Sequence, residues 1–437
     1  MDVRHKKVLL KGANMEKQTR CYVYRFFLAA FLILFLFIEL GVSFYLIHRR
    51  IPSKLYFFAG KEQWIDFGMP ATGEVKTVSG GNKSNISQGD VKIDLSVPFQ
   101  LKYQEQEDYS MNVRLFGILP IKKVDIHVIN DCELIPMGTT IGIYMHSEGV
   151  LIVGLAEFET GDGEKVSPSQ SLLKSGDYVI AVNGEPVNEK EELIQRIESC
   201  EGEELSLTVR RGKERIIVSV KPKRNINGEY KAGIWVRDNF QGVGTLTFVD
   251  ENGRFGALGH GIADADTGLI VEADGGSLYE TKIVGLKRGV RGEPGEMTGR
   301  IVYENNKILG EVTENSMRGV YGRCKESVYE NEKKNAIPIC LKQDIKIGKA
   351  FILCALEDEP EAYEVEITAV HTEQDNVNRG IELRVTDERL LQITGGIVQG
   401  MSGSPIIQNG RLVGAVTHVL VNTPEKGYGI FIENMLE

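Results

Sequence analysis

From about Gly233 to Glu437 the chain is a succession of short apolar runs broken by glycines and turn residues, with no long segment of 3.6-residue period. Regular turn signals between such runs predict a β-barrel or a pair of barrels, and the fold class expected for the whole chain is mainly β. The clearest local sign is Asn409-Gly410 between Ser404–Ile407 and Leu412–Leu420, a dipeptide that favours a tight hairpin turn. Forty-eight glycines serve such turns, and two of their clusters flank reactive side chains.

One cluster is Gly400-Met401-Ser402-Gly403-Ser404-Pro405, where glycines on both sides allow a sharp turn that exposes a serine hydroxyl. The other is Gly259-His260-Gly261 after the apolar run Phe255–Leu258, which puts an imidazole at a strand end with little bulk around it. The order His then Ser, one small barrel apart, is that of chymotrypsin-type enzymes. Ser402 is the expected nucleophile, and the N–H groups of Gly400 and Ser402 form the expected oxyanion hole. Ser404 ranks below Ser402. Of the other histidines, His371 and His418 read as packed or surface imidazoles. Asp387 lies between His260 and Ser402 in sequence and is the expected orienting carboxylate, ahead of Asp264 and Asp266.

The formal charge of −10 hides an asymmetry, because residues 1–25 carry seven Lys or Arg against two acidic residues, and the remainder stands at about −15. No basic patch suggests nucleic acid. From Phe26 to Ile47 runs a 22-residue apolar stretch interrupted only by Glu39. At 1.5 Å per residue it is long enough to cross a bilayer core of about 30 Å. With basic residues 1–25 on the cytoplasmic side, residues 26–47 are expected to be a transmembrane anchor and everything after them to be exported. Six cysteines show no CxxC pair and no zinc-type His spacing, so neither a metal site nor a cofactor is expected. Five of them lie in the exported part, where one or more disulfides are possible.

Residues 53–130 form an expected β-rich exported region whose stretch 73–89, rich in Gly, Ser, Asn and Lys, reads as a flexible loop. Residues 133–223 resemble a PDZ domain. The resemblance rests on Ser175-Gly176-Asp177-Tyr178-Val179-Ile180-Ala181-Val182-Asn183-Gly184 followed by a charged helix near Lys190–Glu198. It implies a peptide-binding loop at Thr140-Ile141-Gly142-Ile143, where a peptide adds as an extra strand. Residues 233–437 are the expected chymotrypsin-like peptidase domain.

Taken with the anchor and the PDZ-like module, three segments carry a closer resemblance. They are Phe255-Gly256-Ala257-Leu258-Gly259-His260-Gly261-Ile262, Gly292-Glu293-Pro294-Gly295-Glu296, and Gly395-Gly396-Ile397-Val398-Gln399-Gly400-Met401-Ser402-Gly403-Ser404-Pro405. Together they resemble the stage IV sporulation protein B family, the SpoIVB-type serine peptidases of endospore-forming bacteria. The resemblance implies a triad of Ser402, His260 and Asp387 and secretion into the space between the forespore membranes. It further implies that the enzyme cleaves itself and a regulatory protein that restrains an intramembrane metalloprotease, so that a late sigma-factor precursor is processed. Two other readings remain, a non-catalytic anchored scaffold with a PDZ-like module and a quality-control protease similar to the HtrA family. The intact Ser402, His260 and Asp387 set argues against the first, and the PDZ-like module preceding the peptidase argues against the second.

Overall fold

The computed structural model describes residues 24–39, 41–42, 44–45, 48, 51–77, 91–103, 108–357, 359–373 and 376–437. Residues 24–39 are helical. The expected cytoplasmic tail lies almost entirely outside the described residues, as do positions 40, 43, 46 and 47 of the expected span. No helix among the described residues is long and apolar enough to cross a membrane. The chain divides into two compact units, residues 1–130 and 131–437.

The first unit holds a five-stranded sheet of Lys54–Phe58 (β1), Ala71–Thr77 (β2), Val91–Asp94 (β3), Asp108–Leu115 (β4) and Leu119–Ile129 (β5), in the order β1-β5-β4-β2-β3. Its buried face gathers Leu55, Phe57, Met111, Val113, Val124 and Ile126, as alternation along each strand requires. The expected loop 73–89 begins later than the composition suggests. Gly73–Thr77 belongs to β2, where Gly73 faces Met111 so closely that a Cβ would lie 2.5 Å from its Sδ, and residues 78–89 lie outside the described residues.

After the short strand Glu133–Pro136, the second unit holds a 16-residue strand, Thr140–Leu155 (β6), and continues through Tyr178–Val182 (β7), helix Lys190–Glu198 (α1), Leu205–Arg211 (β8) and Glu214–Val220 (β9). Strands β6 to β9 pair in sequence order, and Leu193 and Ile197 of α1 pack on Val150, Val179, Leu207 and Val209. Here lies the expected helix. Strand β6 is long because Ile234–Val249 (β10) runs beside nearly its whole length, from Ile234 opposite Leu155 to Thr245 opposite Thr140.

That continuity joins the PDZ-like part to a ring of antiparallel strands. Arg254–Ala257 (β11), Ala273–Lys287 (β12), Ile308–Ser316 (β13) and Gly319–Cys324 (β14) complete it, paired in the circular order β6-β12-β13-β14-β11-β10-β6. Ile141, Ile143, Met145, Leu246, Phe255, Leu278 and Val320 fill it. A second ring is a closed six-stranded barrel of Gly348–Ala355 (β15), Pro360–Val370 (β16), Ile381–Val385 (β17), Pro405–Gln408 (β18), Arg411–Val419 (β19) and Lys426–Phe431 (β20). Ile352, Val365, Ile367, Leu383, Ile406 and Val413 form its core. Asn409 and Gly410 turn β18 into β19 with φ of 52° and 73°, the two positive values that a type I′ hairpin needs.

The expected peptide-binding loop requires correction. Thr140, Ile141, Gly142 and Ile143 are all buried inside β6, paired with β10 on one edge while Ile141–Ile143 pair with β12 on the other. With both edges taken, no peptide can add there as a strand. Gly142 is instead a packing position, since a Cβ would lie 2.5 Å from Ile301 Cγ1 and 2.6 Å from Thr281 Oγ1. Gly142→Val is expected to destabilise the fold by about 1–3 kcal/mol through overpacking. Thermal unfolding checks this, and an unchanged Tm contradicts it.

Candidate active site

Ser402 sits on the turn that leads into β18, and the turn exists because glycine occupies its two tightest places. Gly400 and Gly403 adopt φ of 99° and 96°, and a Cβ on Gly403 would lie 2.1 Å from the Thr245 carbonyl and 2.6 Å from the Leu258 nitrogen. This close approach presses the turn against β10 of the first ring. Thr245 then ties it down: its N–H donates to the Ser402 carbonyl (2.9 Å) and its hydroxyl to the Gly400 carbonyl (3.0 Å). The N–H groups of Gly400 and Ser402 donate to no acceptor among the described residues, so two donors remain free where an oxyanion would need them. The Ser402 hydroxyl, half-buried, donates to the Thr417 carbonyl at 2.8 Å. Ser404 is fully buried and its hydroxyl has no partner, which removes the rival serine from any substrate's reach.

His260 follows β11 after two consecutive left-handed residues, Leu258 and Gly259, at φ 67° and 68°. Such a conformation strains a leucine. It is held because Gly259 packs into the second barrel, where a Cβ would lie 2.9 Å from Ile430 Cγ2 and 3.0 Å from Thr417 Cγ2. Thr417 therefore meets both turns: its carbonyl holds the serine hydroxyl and its methyl faces Gly259. Nδ1 of His260 lies 3.0 Å from the Gly261 carbonyl. Burial lowers the His260 pKa below 6.5, against the opposing pull of that carbonyl. The imidazole is thus neutral at physiological pH, as a general base must be.

His418 was legible only as a strand residue, yet its ring lies 5.3 Å from that of His260, at 39° to it. Its outer edge meets solvent. Burial of its inner face, then His260, then Arg379, push its pKa down to about 4. The missing signal is register: His418 stands opposite Tyr428 beyond a bulge at Thr417, and nothing local in the sequence encodes that bulge.

The expected carboxylates are engaged elsewhere. Asp387 is the N-cap of helix Glu388–Thr394 (α2), accepting from the N–H groups of Arg389 (2.9 Å) and Leu390 (3.1 Å). Burial raises its pKa, but the Leu390, Glu364 and Arg389 amides and the Arg389 charge outweigh that and hold the carboxyl below its usual value. Glu382 shares a cross-strand row with Tyr428 and His418. Asp387 lies five residues further along, about 16 Å at 3.3 Å per residue. Its hydrogen bonds do not include His260. Asp264 and Asp266 pair with Arg237. Asp387→Ala is expected to cost about 1 kcal/mol of stability through the lost cap, and Asp387→Asn much less, because asparagine caps equally well. Urea unfolding measures both. Because Asp387→Asn keeps the cap, it tests the orienting role apart from it: a loss near 10⁴-fold makes Asp387 the orienting carboxylate of His260, whereas activity within about tenfold leaves it as the cap alone.

The segment Gly292-Glu293-Pro294-Gly295-Glu296 lies in a loop after β12 that reaches the serine turn. Gly289 N–H donates to the Thr394 carbonyl, Gly292 N–H to Val421, Met297 N–H to Gln399, and Gln399 N–H to Gly295, all at 2.8–2.9 Å. These bonds fix the approach to Gly400. Beside it, Gln399, Gly400, Gln241–Val243, Glu296–Ile301 and Tyr303 line a groove of about 500 Å³. Among the described residues, no group of three or more His, Cys, Asp or Glu could hold a metal ion, and Cys132, Cys200, Cys324, Cys340 and Cys354 are free thiols.

No curated protein matches the chain by sequence. Among solved structures, the PDZ domain of the SdrC-like protein from Listeria monocytogenes is similar at 20% identity and a TM-score of 0.17, covering 20% of this chain and 87% of its own. The inactive form of the Rv3671c protease is similar at 13% identity and a TM-score of 0.22, covering 44% of this chain and 81% of its own. Residues 228–436, which carry His260, Ser402 and the closed barrel, match the SpoIVB peptidase S55 family, and this match supports a SpoIVB-type peptidase.

Proposed function

We propose that the chain is a serine endopeptidase in which Ser402 attacks a peptide carbonyl and His260 takes its proton. The observation that carries this is the meeting at Thr417: the serine turn and the histidine turn, from different rings, both pack on one residue. Before attack, the Ser402 hydroxyl leaves the Thr417 carbonyl by rotation about its Cα–Cβ bond and donates to the His260 Nε2. As the hydroxyl adds to the carbonyl carbon, negative charge collects on the carbonyl oxygen. The free N–H groups of Gly400 and Ser402 receive it, a donor of this kind contributing about 10²–10³ in rate. His260 then gives the proton to the leaving amine, and water repeats the sequence on the acyl-enzyme.

The family supports the finer reading. In it, the apolar stretch 26–47 anchors the enzyme in the membrane, the catalytic part works in the space between the forespore membranes, and the substrates are its own exported segment and a regulator of an intramembrane metalloprotease. Within the stretch 73–89 expected to be cleaved, the part beyond β2, residues 78–89, is the site this reading favours on its polar composition. The test is to incubate the full chain and sequence the new N-termini. Release within 78–89 that stops in Ser402→Ala supports the reading; a chain that stays whole while it cleaves an unfolded protein overturns the self-cleavage part. The scaffold reading predicts no Ser402-dependent cleavage of any kind.

A further inference from the structure

The turn between β4 and β5 of the first unit puts a phenylalanine where turn chemistry asks for asparagine. It is closed by the Ile118 N–H donating to the Leu115 carbonyl at 3.0 Å, and its two central residues, Phe116 and Gly117, have φ of 51° and 74°. Two positive values in succession suit Asn-Gly or Asp-Gly, and a bulky aromatic residue is strained there. The same Phe116 is 70% exposed, Ile118 81% and Leu119 52%. Three large apolar side chains thus project from one hairpin tip, one of them at a conformational cost, and neither burial nor turn chemistry accounts for them.

The tip stands at the end of the sheet where the chain enters the unit. Strand β1 runs parallel to β5, with Lys54 opposite Asp125. Just ahead of β1, the Ser53 carbonyl accepts from the Asp125 N–H and the Ile51 carbonyl from Lys122 Nζ, both at 2.8 Å. Ile51 is fully buried, so these bonds fix the entry point beside Lys122. Leu119 lies three residues before Lys122, about 10 Å further out at 3.3 Å per residue. The apolar stretch 26–47 ends four residues before Ile51, a connection that spans at most about 14 Å. The tip and the end of that stretch are therefore tethered to the same end of the sheet. Basic side chains stand behind the tip: Arg114 and Lys123 are exposed and Lys122 is half-buried, with Lys123 ion-paired to Asp125 of its own strand. The acidic residue of that end, Asp94, lies across Thr72 from Arg114, and its carboxylate accepts from the Ser96 N–H and hydroxyl.

We propose that the tip Phe116–Leu119 dips into the bilayer that residues 26–47 anchor, its apolar side chains in the headgroup–acyl boundary and Arg114, Lys122 and Lys123 at the level of the lipid phosphates. The proposal rests on the membrane-anchor reading. Buried apolar area seats such an element, and attraction of its cations to anionic lipid adds to it. Span and tip together orient the sheet, which neither does alone. Strand β2 starts at Ala71, opposite Leu115, and ends at Thr77, six residues or about 20 Å along. Thr77, after which the stretch 78–89 begins, then lies at the end of the sheet away from the lipid.

The test reconstitutes the full chain, carrying Ser402→Ala so that it stays whole, in vesicles of phosphatidylcholine and phosphatidylglycerol that contain a phospholipid with a diazirine high on its acyl chain. After irradiation, lipid adducts are mapped by tryptic peptide mass spectrometry. Adducts are expected in both Phe26–Arg49 and Leu115–Lys122. Phe116→Asn combined with Ile118→Ser is expected to lower the Leu115–Lys122 adduct at least about tenfold, since two large apolar side chains leave the lipid, with the Phe26–Arg49 adduct unchanged. Asparagine suits the turn, so the variant is expected to fold with a Tm no lower than wild type; if it does not fold, Leu119→Ser is read in the same way. Adducts in Phe26–Arg49 with none in Leu115–Lys122, or a Leu115–Lys122 adduct that the variant leaves at the wild-type level, overturn the proposal and leave the anchor. Adducts in neither peptide overturn the anchor reading and the proposal with it. A Leu115–Lys122 peptide that cross-links to a second copy instead of lipid assigns the tip to self-association and also overturns the proposal.

Discussion

Replacing Ser402 by alanine is expected to remove proteolysis, by about 10⁴- to 10⁶-fold in kcat, while leaving the fold intact. The side chain makes one hydrogen bond, to the Thr417 carbonyl, so little structure is lost with it. The neighbouring Ser404 gives the control. Its hydroxyl is buried without a partner, and Ser404→Ala removes an unsatisfied polar atom, so it is expected to be neutral or slightly stabilising with activity near wild type. Steady-state cleavage rates and thermal unfolding of the two variants check both statements. An inactive Ser404→Ala beside an active Ser402→Ala would move the nucleophile.

His260→Ala is expected to cost about as much as Ser402→Ala, because nucleophile and base act as a unit. The pH dependence carries further information. Burial lowers the His260 pKa below 6.5, and the base works only when neutral. Activity is therefore expected to fall as pH drops through a value below 6.5, with His418, already pushed down to about 4, contributing nothing above that range. An acid limb of kcat/KM centred above 6.5 would contradict the buried setting of His260.

The barrels and the two glycine-flanked turns were legible because glycine speaks locally. Gly403 and Gly259 are glycines for reasons of close approach that the turn signals already suggested, and Asn409-Gly410 announced its hairpin. Chain order pointed to Asp387 as the orienting carboxylate, but an Asp directly before Glu388 and Arg389 is also an N-cap signature, and it is in that cap that the structure shows its hydrogen bonds. The PDZ-like loop was misjudged because period-2 alternation tells which face of a strand is buried but not whether its edges are occupied. The partners of Thr140–Ile143 on β10 and β12 lie 99 to 139 residues away in sequence. Thr417 carried no local signal, since its contacts to both turns arise only where the two rings meet.

The most direct test of the account is to inactivate the full chain with a fluorophosphonate and map the adduct by peptide mass spectrometry. The account predicts a single adduct on Ser402, lost in Ser402→Ala and formed more slowly in His260→Ala. An adduct on Ser404, or labelling that His260→Ala leaves at the wild-type rate, would contradict it.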